Sequence, residues 1–259
     1  MPVTCSLAIL ASAWLSNSAS AAQTYTVGGR DSFSIGAGAI ESEVTYEGTE
    51  TLTVKRHGKF SRLSAHVKYK RSDGAASTDA SGDYLADVLP TGETIDSADR
   101  DPDYLTVLNQ PFSARLDHQT LDDLEHLQGA LPFDFPSPIT GSSLHGYLQH
   151  LAGGMVGPRR STGVRFEAAG PMRGELPDRP GLTLIGTIAM RGTAYYDIDT
   201  ATLLALETTV TITGTVSNRT GKDPVTIVYA RAIRASPPSE QRTARSPQPQ
   251  PAASPEDTP

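Results

Sequence analysis

The sequence predicts a mainly β protein built on one large, twisted or curved antiparallel sheet, a half-barrel or open barrel, with one covering helix near residues 120–128. Two long segments, 182–196 and 204–216, alternate apolar side chains with threonine and charged residues at the two-residue period of a strand. Only the stretch TLDDLEHLQG has the apolar spacing and the terminal residues of a helix. Many strands and one helix favour a broad sheet whose apolar face is partly covered by the helix.

The N-terminal residues 1–21 have the features of a secretory signal. An apolar run from Leu7 to Leu15 precedes small residues that end at Ala21, although no lysine or arginine comes before the run. The run is shorter than the roughly 20 apolar residues that a spanning helix needs. The only cysteine and the only tryptophan of the chain fall in this segment, so the mature protein contains no thiol. We therefore expect a secreted or periplasmic bacterial protein that is not an integral membrane protein after signal removal.

A single β-rich domain is expected over residues 22–235. Strands are predicted near 24–35, 43–54, 61–70, 84–89, 142–152, 161–170, 182–196, 204–216 and 224–235. Short polar turns such as DIDTAT and SNRTGKD join the last three of these strands into a meander.

The predicted helix and its neighbours have clear end signals. Thr120 is placed to cap the first turn, the acidic residues Asp122 and Asp123 suit its positive end, and Gly129 ends it. The Pro-rich residues 130–141 that follow are predicted to cross the sheet as an ordered loop. Residues 236–259 are rich in proline, serine and glutamine, and this composition predicts a disordered Pro-rich tail.

Charge is distributed unevenly along a chain whose formal net charge is −7, which disfavours nucleic acid as a partner. The basic segment 55–71, from Lys55 to Arg71, contains seven lysines and arginines and no acid, and acidic residues dominate 73–103. One interpretation is that the basic hairpin contacts an anionic envelope surface. The other, which we favour, is that these side chains protect a sheet edge or pair with the acidic residues that follow.

The sequence predicts no catalytic residue, no cofactor and no metal. Neither a Gly-x-Ser-x-Gly elbow nor a His-Glu-x-x-His motif occurs, and the six histidines are interpreted as solvent-facing or structural. Asp99, Asp101 and Asp103 have the spacing of the first three oxygen ligands of a calcium loop, but Tyr104 and Gln110 replace its glycine and closing glutamate. A solvated acidic turn is the favoured interpretation, and calcium binding is the alternative.

The sheet face with the larger apolar residues is the candidate binding surface. Its predicted ligand-contacting residues are Leu184, Ile188, Met190, Leu206, Val210 and Ile212. We expect a non-enzymatic binder of an apolar, lipid-like or amphipathic ligand held between the sheet and its cover. Two alternatives remain open: an envelope-associated structural or interaction module that acts through its Thr-rich sheet face or its Pro-rich tail, and a hydrolase with an unrecognised site.

The segment GTAYYDIDTATLLALE resembles a pattern of uncharacterised exported bacterial β-rich proteins, in which a Gly-x-Ala-x-Tyr/Phe-Asp strand ends in a turn and restarts with Leu-x-x-Leu-Glu. The matching residues are Gly192, Ala194, Tyr196, Asp197, Leu203 and Glu207. The layout is distantly similar to periplasmic lipoprotein-carrier folds. The resemblance covers about residues 180–217, and Ala201 stands near the position where the pattern usually has glycine. It implies export and a fold neighbourhood, and it implies no activity.

Overall fold

The structure is a computed structural model that describes residues 22–36, 42–89, 94–97, 101–110, 118–126, 129–136, 143–176, 179–217 and 221–237. These residues form one antiparallel sheet of eleven strands, which confirms the predicted fold class. The strands are β1 Gln23–Ile35, β2 Ser42–His57, β3 Phe60–Ser72, β4 Ser77–Val88, β5 Thr94–Ser97, β6 Ala130–Pro136, β7 Ser143–Val156, β8 Arg159–Leu176, β9 Arg179–Asp197, β10 Leu203–Ser217 and β11 Lys222–Ala235.

The sheet consists of two meanders that meet at its centre. The strand order is β5-β4-β3-β2-β1-β11-β10-β9-β8-β7-β6, so the first and the last strand of the chain pair with each other. All the remaining pairs of neighbouring strands are consecutive in the sequence, which keeps most connections short. The predicted meander of the last three strands is confirmed.

Two local predictions are wrong. Residues 130–136 form the edge strand β6, with Pro132 and Pro136 in it, where a loop had been expected. An edge strand tolerates proline because one side of its backbone has no partner strand to bond. The helix α1 is His118–His126, so Thr120 lies inside its first turn and does not cap it.

The apolar face of the sheet forms a continuous core. A row of five registered residues crosses β1, β11, β10, β9 and β8, and each is at most 4% exposed: Val27, Ile233, Leu206, Ala194 and Val164. The segment 101–110, which contains a 3₁₀ turn at Val107–Asn109, adds the fully buried Leu105 and Val107 to this core. Helix α1 packs against β7 and buries Leu121.

The opposite face carries most of the threonines and most of the charged residues. Thr187 and Thr213 are cross-strand partners on it, and their hydroxyl oxygens lie 3.2 Å apart. The predicted signal, residues 1–21, and nearly all of the predicted tail lie outside the described residues. Within the described part of the chain, no helix is long and apolar enough to cross a membrane.

Candidate functional site: a groove across six strands

A groove of about 650 Å³ crosses the middle of the exposed face. Its lining combines glycines, alanines and threonines with three arginines and three glutamates whose side chains lie on the exposed face, and with a fourth arginine, Arg231, in the floor. The lining residues with side chains on the exposed face are Arg30, Glu47, Arg165, Glu167, Arg191, Thr193, Glu207, Thr209, Ala230 and Ala232, together with Gly28. Small-molecule sites commonly occupy roughly 300–1,000 Å³, so the groove has the volume of a binding site.

The strand register explains the shape of the groove. One row of successive cross-strand partners lies along its floor: Tyr46, Gly29, Arg231, Thr208, Gly192 and Phe166. The side chains in this row point to the buried face, because alternate residues of a strand face opposite sides. Main-chain atoms therefore line the floor, which runs across β2, β1, β11, β10, β9 and β8.

Two flanking rows of partners form the walls. One wall is Glu47, Gly28, Ala232, Glu207, Thr193 and Arg165, and the other is Arg30, Ala230, Thr209, Arg191 and Glu167. Rows on one face lie two residues apart along each strand, so the walls are separated by about 7 Å. With strands about 4.8 Å apart, six strands give a groove about 24 Å long. The walls are lowest at β11, where both positions are alanine, and at β1 one wall is low because Gly28 occupies it across the floor from Arg30.

Three of the six charged side chains in the two walls already have partners. Arg30 pairs with Glu43, Glu207 accepts a 3.0 Å bond from Arg234, and the hydroxyl of Tyr147 donates a 2.8 Å bond to Glu167. The side chains of Arg165, Arg191 and Glu47 make no hydrogen bond or ion pair with any described residue. Two of these three are arginines at the β8–β9 end of the groove.

A buried polar cluster lies behind the floor at β1, β2 and β11. The Arg231 side chain is 2% exposed and donates to the Asp31 carboxylate and to the main-chain carbonyl oxygens of Asp103 and Tyr104. Tyr46 donates to Asp31 at 3.0 Å and to Asp103 at 3.1 Å. Burial raises the pKa of Asp31, although the bonds from Arg231 and Tyr46 oppose this shift. These bonds tie the 101–110 segment to three strands and hold the floor of the groove in place.

Glu50 is another acid on the apolar face, four residues after Tyr46 in β2. It is fully buried, its Oε2 accepts a 2.9 Å bond from the Val107 N–H, and its Oε1 has no hydrogen-bond partner among the described residues. Burial raises its pKa from 4.5 to about 8, and the nearby Asp101 carboxylate adds to this shift. At neutral pH this carboxyl group is mostly protonated, because burial outweighs the one hydrogen bond from the Val107 N–H that stabilises its charge.

The acidic segment near residue 101 is structural. Asp101 is 1% exposed and accepts bonds from the N–H groups of Asp103, Leu105 and Thr106. The expectation of a solvated acidic turn is therefore wrong for this residue. Asp103 turns toward Tyr46 and Tyr69, and Asp99 lies outside the described residues. Among the described residues, no group of three acidic or histidine side chains is arranged to hold a metal ion.

The basic segment 55–71 forms the β2–β3 hairpin, and part of it pairs with β4. Arg62 makes a bidentate pair with its cross-strand partner Asp87 at 2.8 and 2.7 Å, and His66 lies 2.6 Å from Asp83. These contacts support the structural interpretation of this segment. Lys68 and Lys70 line a second groove of about 480 Å³ that shares Glu47 with the first. Contact between the basic hairpin and an envelope surface stays a prediction.

The six predicted ligand-contacting residues come together on the buried face of β9 and β10. Ile188 pairs with Ile212 and Met190 with Val210, and all six are at most 5% exposed. They form part of the core in this structure. Neither the groove nor the charged residues on the apolar face were predicted from the sequence. The two-residue strand period does indicate these charged residues, because Asp31, Glu50 and Arg231 fall on the same strand face as apolar neighbours. Those neighbours are Val27, Leu52 and Ile233.

The sequence matches no known protein family, and no curated protein is similar to it. Solved structures with low similarity include lipovitellin, described for its lipid–protein interactions, at 10% identity and a TM-score of 0.42. That match covers 83% of this chain and 25% of lipovitellin, so this chain spans about a quarter of that protein's length. A structure assigned as a lipoprotein of Parabacteroides distasonis has 12% identity and a TM-score of 0.23, with 80% and 93% coverage of the two chains. Similarity at this level assigns no function.

Proposed function

We propose that this protein is a non-enzymatic binding protein that holds an elongated amphipathic ligand in the cross-strand groove. The observation that carries the proposal is the groove itself, whose floor is main chain and whose walls combine small residues with charged ones. Small residues leave room for an apolar chain, and arginine and glutamate can orient a polar group. This combination fits an amphipathic ligand better than a purely apolar one.

The groove is suited to binding because it is preformed. Its floor crosses six strands joined by continuous ladder hydrogen bonds, and the buried bonds of Arg231 and Tyr46 hold the central strands. A rigid site loses little conformational entropy when a ligand binds, so more of the contact energy is retained as affinity.

Two earlier expectations stay proposals. The features of residues 1–21 support a location outside the cytoplasm, in the periplasm or in the secreted fraction. The six core residues represented by Ile188 and Ile212 stay predicted ligand contacts, but a ligand reaches them only if the apolar face opens. The groove needs no such opening.

The test uses the neutral dye Nile red and its displacement by dodecanol. Ala232 lies on the groove wall at its lowest point, so Ala232→Trp should fill the groove. We expect this variant to bind Nile red and dodecanol at least about tenfold more weakly than the wild type. Ala189→Trp is the matched control, because Ala189 is exposed on the same face of β9 but outside the groove. Equal affinities in the wild type, Ala232→Trp and Ala189→Trp contradict the proposal, as does the absence of binding by the wild type.

A further inference from the structure

We infer that the ligand is an anionic amphiphile whose acidic head lies between Arg165 and Arg191 and whose apolar chain runs toward Gly28 along the groove. This inference rests on the proposed function and adds the direction and the chemical class of the ligand. It covers carboxylate and phosphate heads alike, because a guanidinium binds both.

The two arginines are positioned to act on one group. The floor residues Phe166 and Gly192 are cross-strand partners, and Arg165 and Arg191 precede them in their strands. Arg165 is directly opposite Thr193, so Arg191 is its diagonal neighbour on the other wall. Diagonal neighbours on one sheet face lie about 7–8 Å apart, which long side chains can bridge. An acidic group on the floor between them is therefore within reach of both guanidinium groups.

The charges at this end favour an anion. Neither Arg165 nor Arg191 has an ion-pair partner among the described residues, whereas Arg30 at the other end is paired with Glu43. Glu167 is the cross-strand partner of Arg191, and its carboxylate accepts a bond from Tyr147. Glu207 on the neighbouring strand is paired with Arg234, so Arg165, Arg191 and Arg234 face two glutamates and one positive charge remains. At the far end, Arg30 is paired with Glu43 and Lys70 is the cross-strand partner of Glu47, so no excess of positive charge favours the reverse orientation.

The rest of the groove suits an apolar chain. Beyond β10 the small wall residues Gly28, Ala230 and Ala232 leave the floor open, and the Arg30 side chain across the floor from Gly28 is paired with Glu43. The distance from Arg165 on β8 to Gly28 on β1 covers four strand spacings, or about 19 Å. A long-chain acid can reach both regions at once, and a short-chain acid cannot.

The experiment measures displacement of Nile red from the full chain by dodecanoate, dodecyl phosphate, dodecanol and butanoate. We expect at least one of the two long-chain anions to bind more than tenfold tighter than dodecanol, and butanoate to compete far more weakly than dodecanoate. Arg165→Gln and Arg191→Gln should each lower the affinity for the tighter-binding anion about tenfold, and the double variant about a hundredfold. The affinity for dodecanol should stay unchanged in all three variants. The relative affinity of the two anions identifies the preferred head.

Arg173→Gln is the matched control, since Arg173 is exposed on the same face of β8 but outside the groove. The inference is overturned if dodecanol binds as tightly as both anions, if the double variant retains wild-type affinity for them, or if Arg173→Gln has the same effect. If Ala232→Trp still lowers the affinity for dodecanol in any of these cases, the proposed function stands and only the anionic head is rejected. If Ala232→Trp affects no probe, the groove proposal itself fails.

Discussion

Replacing Glu50 with glutamine should remove the pH dependence that this carboxyl group gives to the free energy of unfolding. Its pKa is about 8 in the folded protein and 4.5 ordinarily, so the folded state retains a proton that the unfolded chain releases. The stability that comes from this retained proton is complete below pH 4.5 and decreases as the pH rises toward 8. Above pH 8 both states have lost the proton, and this contribution stops changing.

The magnitude follows from the two values. From pH 4.5 to pH 7 is 2.5 pH units, and each unit corresponds to about 1.36 kcal/mol, so Glu50 costs the wild type about 3 kcal/mol by pH 7. Glutamine cannot ionise and avoids this cost. Its amide still lacks a partner where Oε1 has none, which subtracts a constant amount at every pH. The pH dependence of the difference is therefore the diagnostic quantity.

The assay is urea unfolding followed by far-UV circular dichroism at several pH values between 4.5 and 8.5. The unfolding free energy of Glu50→Gln minus that of the wild type should rise by about 3 kcal/mol between pH 4.5 and 7. Glu47→Gln is the control, since Glu47 is exposed on the other face of the same strand. A difference that stays flat across this range would refute the assignment of Glu50 as a buried neutral acid.

Two further predictions concern the floor of the groove. Arg231→Ala should destabilise the fold by about 3 kcal/mol in the same assay, because the half-buried Asp31 carboxylate keeps only its bond from Tyr46 and the carbonyl oxygens of Asp103 and Tyr104 lose their donor. Arg234→Ala, at a pair whose side chains are 68% and 62% exposed, should cost less than about 1 kcal/mol, and equal losses would contradict the buried cluster. Gly192→Ala should cost about 1–3 kcal/mol, because its new methyl group would overlap the Phe166 ring and the Glu207 carbonyl oxygen, whereas Gly154→Ala meets nothing within 4 Å and should cost less than about 1 kcal/mol. A stable Gly192→Ala protein would show that the floor at β9 is not closely packed.

Most of the sheet could be predicted because one face of each long strand is buried. In β10 the apolar residues Leu206, Val210 and Ile212 alternate with the more exposed Glu207, Thr209 and Thr213, and this contrast fixes the strand and its inward face. Strand β6 could not be predicted from composition, because its prolines are compatible with an edge position that only the sheet order reveals.

The groove could not be predicted because it depends on register. Arg165 and Arg191 are far apart in the sequence, and only the pairing of Phe166 with Gly192 places them on opposite walls of one groove.

The turn at Ala201 agrees with the sequence pattern, which usually has glycine near this position. Its φ of 51° lies in the left-handed region that favours glycine.

The most direct test of the groove is amide chemical-shift mapping of the isotope-labelled protein during titration with dodecanoate. The account predicts that the largest shifts fall along the floor row, at Gly29, Thr208 and Gly192, and fade toward β5 and β6. Shifts concentrated instead at core residues such as Leu184 and Ile188, with the floor row unchanged, would contradict it and place the ligand on the apolar face.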